Sequence, residues 1–245
     1  MIRRFSIIIL LLTFQLLLLG VVKSDAATTY LIDFGTVGNQ TTTVDANGNR
    51  WNNLTGANAD ATTNPRSGSI TLQDIGGTAG IGMNYSFPTT GGDPNFSNKN
   101  STLHASLGSL SNLGLMNIDS ATRDVIWSSG PMVFTFTGLD PLLDYSFNLF
   151  AYRLFAGRTS SYQLQGLTSS SPTILNVDST NTGDGTILEF LNYKPNASGE
   201  IVLQVNSGTG GYAYLSSVQI LVSPEPQRAL LLLIGLGTIV LRRRA

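Results

Sequence analysis

Most of this chain is written in short runs that alternate apolar and polar residues, each closed by a turn former. "MVFTFTG" sets Met132, Phe134 and Phe136 against Val133, Thr135 and Thr137. "DYSFNLFAY" sets Tyr145, Phe147, Leu149 and Ala151 on one face. "SSYQLQG", "TILNVD", "GTILEFLNY", "GEIVLQVN" and a final strand "YAYLSSVQILV" follow at regular spacing. In the first half, "TTYLIDFG", "SGSITLQD" and "AGIGMNYSF" read the same way, and "TTTVDANGNRWNNL" reads as a hairpin about Asn47-Gly48. "TTGGDPNFSNKNST" reads as an exposed loop. "SATRDVIWSSG" reads as a short helical turn capped near Ser120 that delivers Trp127 to the core or a pocket. A period of two puts alternate side chains on opposite faces of a strand, so each run can bury one face only against another sheet. About ten such strands, with no long segment of helical period and no repeat, predict an all-β fold: a single β-sandwich or jelly roll over residues 27–222. Its core should include Phe134, Phe136, Tyr145, Phe147, Leu149, Leu203, Val205, Val218 and Ile220.

Composition agrees. Only 12% of residues are charged, and the scarcity of Lys and Glu disfavours helices. The net charge of −1 hides a segregation of sign. Residues 27–222 hold 13 acids and 7 bases, while the other bases crowd the two ends. A mildly acidic body has no basic stripe for nucleic acid. Without cysteine there are no disulfides and no thiolate metal sites.

The ends carry their own signals. Arg3 and Arg4 precede an apolar run from Phe5 to Val22, and "KSDAA" then offers small residues for cleavage after Ala26. This is the pattern of an export signal, residues 1–26. The other end reads "SPEPQRALLLLIGLGTIVLRRRA". Its apolar run, Ala229 to Leu241, has 13 residues. As a helix it spans about 20 Å, short of the roughly 30 Å hydrocarbon core of a bilayer. Arg242, Arg243 and Arg244 favour the cytoplasmic side. Such a segment suits a pause in the membrane while something reads and cuts it.

Pro224, Glu225 and Pro226, the apolar stretch with "GLG", and the terminal arginines, in that order, resemble the PEP-CTERM sorting signal of Gram-negative bacteria. The resemblance covers residues 223–245 and implies recognition by an exosortase in the inner membrane, then a place at the cell surface or in the extracellular matrix. A second resemblance rests on "LIDFG", "ATRD", "GLDPLLDYSFNLFAYR" and "YAYLSSVQI". These strings look like jelly-roll domains of the galactose-binding-like and malectin-like kind. That resemblance implies the sandwich fold and a family tendency toward carbohydrate binding.

A sugar ring stacks on an aromatic face while polar neighbours hold its hydroxyls. Trp51, Trp127, Tyr152, Tyr162, Tyr212 and Tyr214 are the aromatic supply. The loop "YRLFAGRTSSY" carries two of the body's few bases, so the expected contact residues are Tyr152, Arg153, Arg158 and Tyr162. Arginine forks would pair with the carboxylates of acidic sugars.

Catalytic chemistry has little to work with. His104 is the only histidine, and no serine sits in a GxSxG elbow. One imidazole and no thiolate make zinc improbable. Asp45, Asn47 and Asn49 are spaced like part of a calcium loop, but the glycine falls early and no Glu closes it, so a hairpin turn is the better reading. Jelly rolls often carry a structural Ca²⁺, and no motif here places one. No cofactor is expected. The expected function is that of an exported, non-enzymatic surface or matrix protein that binds polysaccharide or serves as a structural unit. Its alternative is a polysaccharide-active enzyme using two carboxylates drawn from Asp33, Asp45, Asp124, Asp140, Asp144 and Glu189.

Overall fold

A computed structural model of the chain describes residues 27–36, 38, 40–55, 67–87, 95–97, 111–153, 157–177 and 187–223. The export segment, His104 and the sorting motif (Pro224, Glu225, Pro226, Arg242, Arg243 and Arg244) lie outside the described residues. Within Thr28–Ser223 the chain forms one unit. Its strands in order are β1 (Thr28–Gly35), β2 (Asn52–Thr55), β3 (Ser67–Gln73), β4 (Ala79–Ser86), β5 (Asn95–Ser97), β6 (Val125–Ser128) and β7 (Met132–Thr137). Then come β8 (Asp144–Phe150), β9 (Thr159–Gln165), β10 (Thr173–Asn176), β11 (Ile187–Tyr193), β12 (Ile201–Ser207), β13 (Ala213–Leu215) and β14 (Ser217–Ser223). A 3-10 segment at Ser111–Met116 and a short helix α1, Asp119–Arg123, precede β6.

The strands form a five-stranded sheet, β11-β8-β14-β1-β2, and a six-stranded sheet, β10-β9-β12-β7-β4-β3, with a small third sheet, β13-β6-β5. The period-two runs explain the packing between the larger two. Phe134, Phe136, Leu203 and Val205 point inward from the six-stranded sheet, and Tyr145, Phe147, Leu149, Val218 and Ile220 point inward from the five-stranded one. All nine are buried in one cluster. Rings close the gap between the sheets: Phe136 meets Phe147 at 5.1 Å and Phe34 meets Phe134 edge-on at 5.1 Å. The all-β sandwich follows.

Part of the outer face of the five-stranded sheet is buried too. Leu31, Phe150 and Tyr152 pack there against Trp51, Leu113, Met116 and Ala121, brought by the 3-10 segment, α1 and the loop before β2. This is why β1 is buried along nearly its whole length rather than at every second residue.

Several local readings change. The "TTTVDANGNRWNNL" stretch closes a short hairpin about Gly48 (φ 84°), with an antiparallel bridge between Val44 and Arg50 and Trp51 N bonded to Thr43 O at 3.0 Å, but β2 beyond it pairs in parallel with β1 instead of extending that hairpin. The carboxylate of Asp45 organises that turn, accepting hydrogen bonds from Asn47 N, Asn49 N and Trp51 Nε1 at 2.8, 2.9 and 3.0 Å. Loss of water opposes its charge, yet these donors win and its pKa is lowered. α1 begins two residues earlier than expected, with Ile118 at the N-cap, and Ser120 lies inside it with its hydroxyl bonded to Thr41 Oγ1 at 2.7 Å. Within the expected loop around "DPNFSNK", Asn95–Ser97 forms β5 by pairing with β6. The last run is two strands, not one. Ser216 breaks it, donating its N–H to Phe150 O and accepting from Phe34 N, so β13 and β14 join different sheets.

Candidate functional site

That break sets the geometry of the site. β13 pairs with β6 so that Tyr214 lies opposite Trp127, which puts both side chains on one face. Tyr212, two residues before Tyr214, joins them, with its ring edge-on to Trp127 at 4.9 Å and 6.3 Å from Tyr214. The β8–β9 connection then lays two guanidinium groups over these rings. Arg153 stands 5.9 Å from the Trp127 ring centre and Arg158 5.5 Å from that of Tyr212. Both distances suit a cation held over an aromatic face.

The two arginines differ. Arg153 is buried, and its backbone N–H bonds to Val177 O at 2.9 Å. Burial pulls its pKa below the ordinary guanidinium value; Tyr214 opposes this and Arg158 adds to it. Arg158 is half-buried, and its Nη1 donates to Gly210 O in the turn between β12 and β13. Gly210 needs φ 90°, and a Cβ there would collide with the Arg158 guanidinium, so glycine and arginine fit as a pair. Trp127 and Tyr212 are half-buried as well. Trp127 Nε1 is shielded and has no hydrogen-bond partner among the described residues. The accessible surface is therefore Arg158, Tyr212 and Trp127, with the charge of Arg153 underneath.

Of the four expected contact residues, Arg153 and Arg158 come together here. Tyr152 and Tyr162 do not. Tyr152 turns to the other side and stacks on Phe150 at 6.4 Å with ring planes 9° apart, in the cluster behind the five-stranded sheet. Tyr162 is fully buried in the main core, and its hydroxyl donates to Tyr214 O at 2.5 Å. Desolvation raises the Tyr162 pKa against a smaller lowering by its hydrogen bond with Ser160. Strand alternation from β9 sends residue 162 inward, and that bond makes Tyr162 a brace beneath the site. The aromatic partners that do serve, Trp127 and Tyr212, are each distant in sequence from the arginines. Their one local hint is "GTGGYAY", a glycine-rich turn leading into alternating tyrosines.

The carboxylates are spread out. Asp140 accepts Leu142 N at 2.8 Å within a turn, Asp144 pairs with Lys194 at 3.2 Å, and Glu189 is exposed on β11. Asp33 and Asp124 lie near one another, but neither is exposed to solvent. Asp124 Oδ2 accepts Thr36 N at 2.8 Å and occupies the space that a Cβ on Gly35 would need. Gly35 is two residues along β1 from Asp33, on the same face, so the Asp124 carboxyl group fills the neighbouring side-chain position. Asp33 Oδ2 accepts Thr41 N at 2.7 Å. Burial, with a smaller push from Asp124, outweighs the Thr41 bonds and moves the Asp33 carboxyl up to about 7. This pair is sealed within the fold, not set across a cleft. Among the described residues no group of three or more metal-binding side chains gathers.

No protein-family model and no curated protein matches the chain. Among solved structures it is similar to a Clostridium perfringens carbohydrate-binding module, CpGH89CBM32-5, in complex with GalNAc-β-1,3-galactose, at 13% identity and TM-score 0.25 over 37% of this chain. A second such module, TmCBM61 in complex with β-1,4-galactotriose, shows 12% identity and TM-score 0.23 over 41% of the chain. The match spans just under two thirds of these modules, 65% and 66%. The β-glucuronidase of Bacteroides uniformis aligns over 70% of this chain and 20% of its own, at 10% identity and TM-score 0.33.

Proposed function

We propose that this is an exported, non-enzymatic surface or matrix protein whose sandwich binds acidic polysaccharide where Arg158, Tyr212 and Trp127 meet. The observation that carries the reading is the pair of guanidinium groups laid over two aromatic rings in a body of 13 acids and 7 bases. The rings offer flat apolar faces for the C–H side of a sugar. Arg158 offers a fork for a uronate carboxylate, and the positive field of Arg153 beneath favours an anion. An acidic body elsewhere would turn the same anion away, which directs it to this patch.

The export segment and the resemblance of residues 223–245 to an exosortase signal support the route: export, passage through the inner membrane, cleavage, and display at the surface. The test of binding is a glycan array probed with the purified full chain, alongside a reducing-sugar release assay. Uronate-containing glycans should bind, more weakly as salt rises, and Arg158→Ala should bind less than the parent with an unchanged melting temperature. No binding to any glycan would leave a structural role as the better account. Release of sugar would move the protein to the enzymes.

A further inference from the structure

The six-stranded sheet differs from the five-stranded sheet in one respect. None of β3, β4, β7, β9, β10 and β12 contains an Asp, Glu, Lys or Arg. In the five-stranded sheet β1, β8 and β11 each carry an acid. The inward residues of the six strands form the core, so the outward ones make a face whose described members are all uncharged.

The register lines these residues up across the strands. One row runs Ser67, Ser86, Val133, Gln204, Gln163. The next runs Ser69, Asn84, Thr135, Val202, Gln165. Every one of them is half-buried or exposed. Neighbouring strands lie about 4.8 Å apart, so each row sets hydroxyls, amides and one valine at that interval over roughly 19 Å. Some of the amides are held in place: Gln204 Nε2 donates to Asn206 Oδ1 at 3.1 Å and Gln163 Nε2 to the main-chain Ser170 O at 3.0 Å. On the five-stranded sheet, by contrast, the outer face around Leu31 and Phe150 is covered by its own chain.

We propose that this face is a second docking surface, for an extended uncharged polysaccharide. Charge matching selects the partner. A face without charge holds no polyanion, which excludes nucleic acid and the acidic glycans assigned to the arginine site. It also lacks the exposed Trp, Tyr, Arg and Met that anchor protein interfaces. A neutral polysaccharide offers repeated hydroxyls, each both donor and acceptor. Amide and hydroxyl side chains match both roles, and no charge on either side has to be stripped of water. Repetition at strand spacing lets many weak contacts act together. With the arginine site elsewhere, the protein would bridge a neutral polymer and an acidic one.

The test is co-sedimentation of the purified full chain with microcrystalline cellulose, starch granules, chitin and agarose beads. At least one polymer should retain the chain. Thr135→Lys and, separately, Asn84→Lys should lower the apparent affinity by about tenfold or more, because a bound sugar would strip water from an unpaired charge. Both variants must keep the parent's far-UV circular dichroism and melting temperature; Ser69→Lys, on the outermost strand, replaces either one that does not. Arg158→Ala should sediment like the parent, and the lysine variants should bind acidic glycans like the parent, which separates this surface from the arginine site. Failure to sediment with any of the four polymers would overturn the proposal. So would sedimentation that the lysine variants leave unchanged, or a parent dimer that they dissolve, since the face would then be an interface between copies.

Discussion

Replacing Asp33 with asparagine should make the protein more stable in alkaline solution while leaving it nearly unchanged in acid. The carboxyl of Asp33 is fully buried beside that of Asp124. Its pKa rises from the ordinary 3.8 to about 7, first because burial penalises its charge. Between these two values the folded chain keeps a proton that the unfolded chain has released, so stability falls as pH rises across that window. At about 1.4 kcal/mol per pH unit the total is about 4 kcal/mol, lost between roughly pH 4 and pH 7. An asparagine mimics the protonated acid: its oxygen can accept from Thr41 N as Asp33 Oδ2 does now at 2.7 Å, and it never ionises. Urea unfolding of the parent and the Asp33→Asn variant at several pH values from 4 to 8 measures the gap directly. The gap should open from near zero to about 4 kcal/mol in favour of the variant as Asp33 in the parent loses its proton. Because the comparison is between two chains, carboxylates such as Asp45 that stabilise as pH rises cancel. Parallel stability curves across this range would refute the argument that Asp33 is held protonated.

Two further outcomes test other parts of the account. Phe147→Ala should cost about 3–5 kcal/mol in chemical denaturation, because Phe147 is fully buried and bridges the sheets through Phe136; a loss under about 1 kcal/mol would mean that this contact does not hold the sandwich. Changing Arg242, Arg243 and Arg244 together to Glu should impair processing of the C-terminal segment by removing its positive-inside bias, read by mass spectrometry of the mature chain. Unchanged processing would show that the arginines are not recognised.

The two halves of the candidate site were unequally legible. The loop from Tyr152 to Tyr162 stood out because two arginines are conspicuous in a body so poor in bases. Alternation from β9 could assign Tyr162 to the core once its inward neighbour Leu164 was placed, but Tyr152 lies past the end of β8, where the period no longer says which way a side chain turns. Trp127 and Tyr212 could not be joined to the arginines from sequence, because their meeting depends on β13 leaving the path of β14 at Ser216 and pairing with β6.

Local physics reaches as far as the strand. Period two, turn residues and the shortage of helix formers determine by themselves that the chain makes sheets, and which side of Met132–Thr137 or Ile201–Ser207 faces the core. Which strands become neighbours is another matter, since that depends on residues far apart in sequence, and a strand pattern is compatible with many partners. Only the tertiary structure decides that β2 lies parallel to β1, that Asp124 fills the space above Gly35 and so changes the ionisation of Asp33, and that Arg153 and Arg158 rest on Trp127 and Tyr212. Each of these joins groups that the chain holds apart, and each gains its character from the loss of water when they meet.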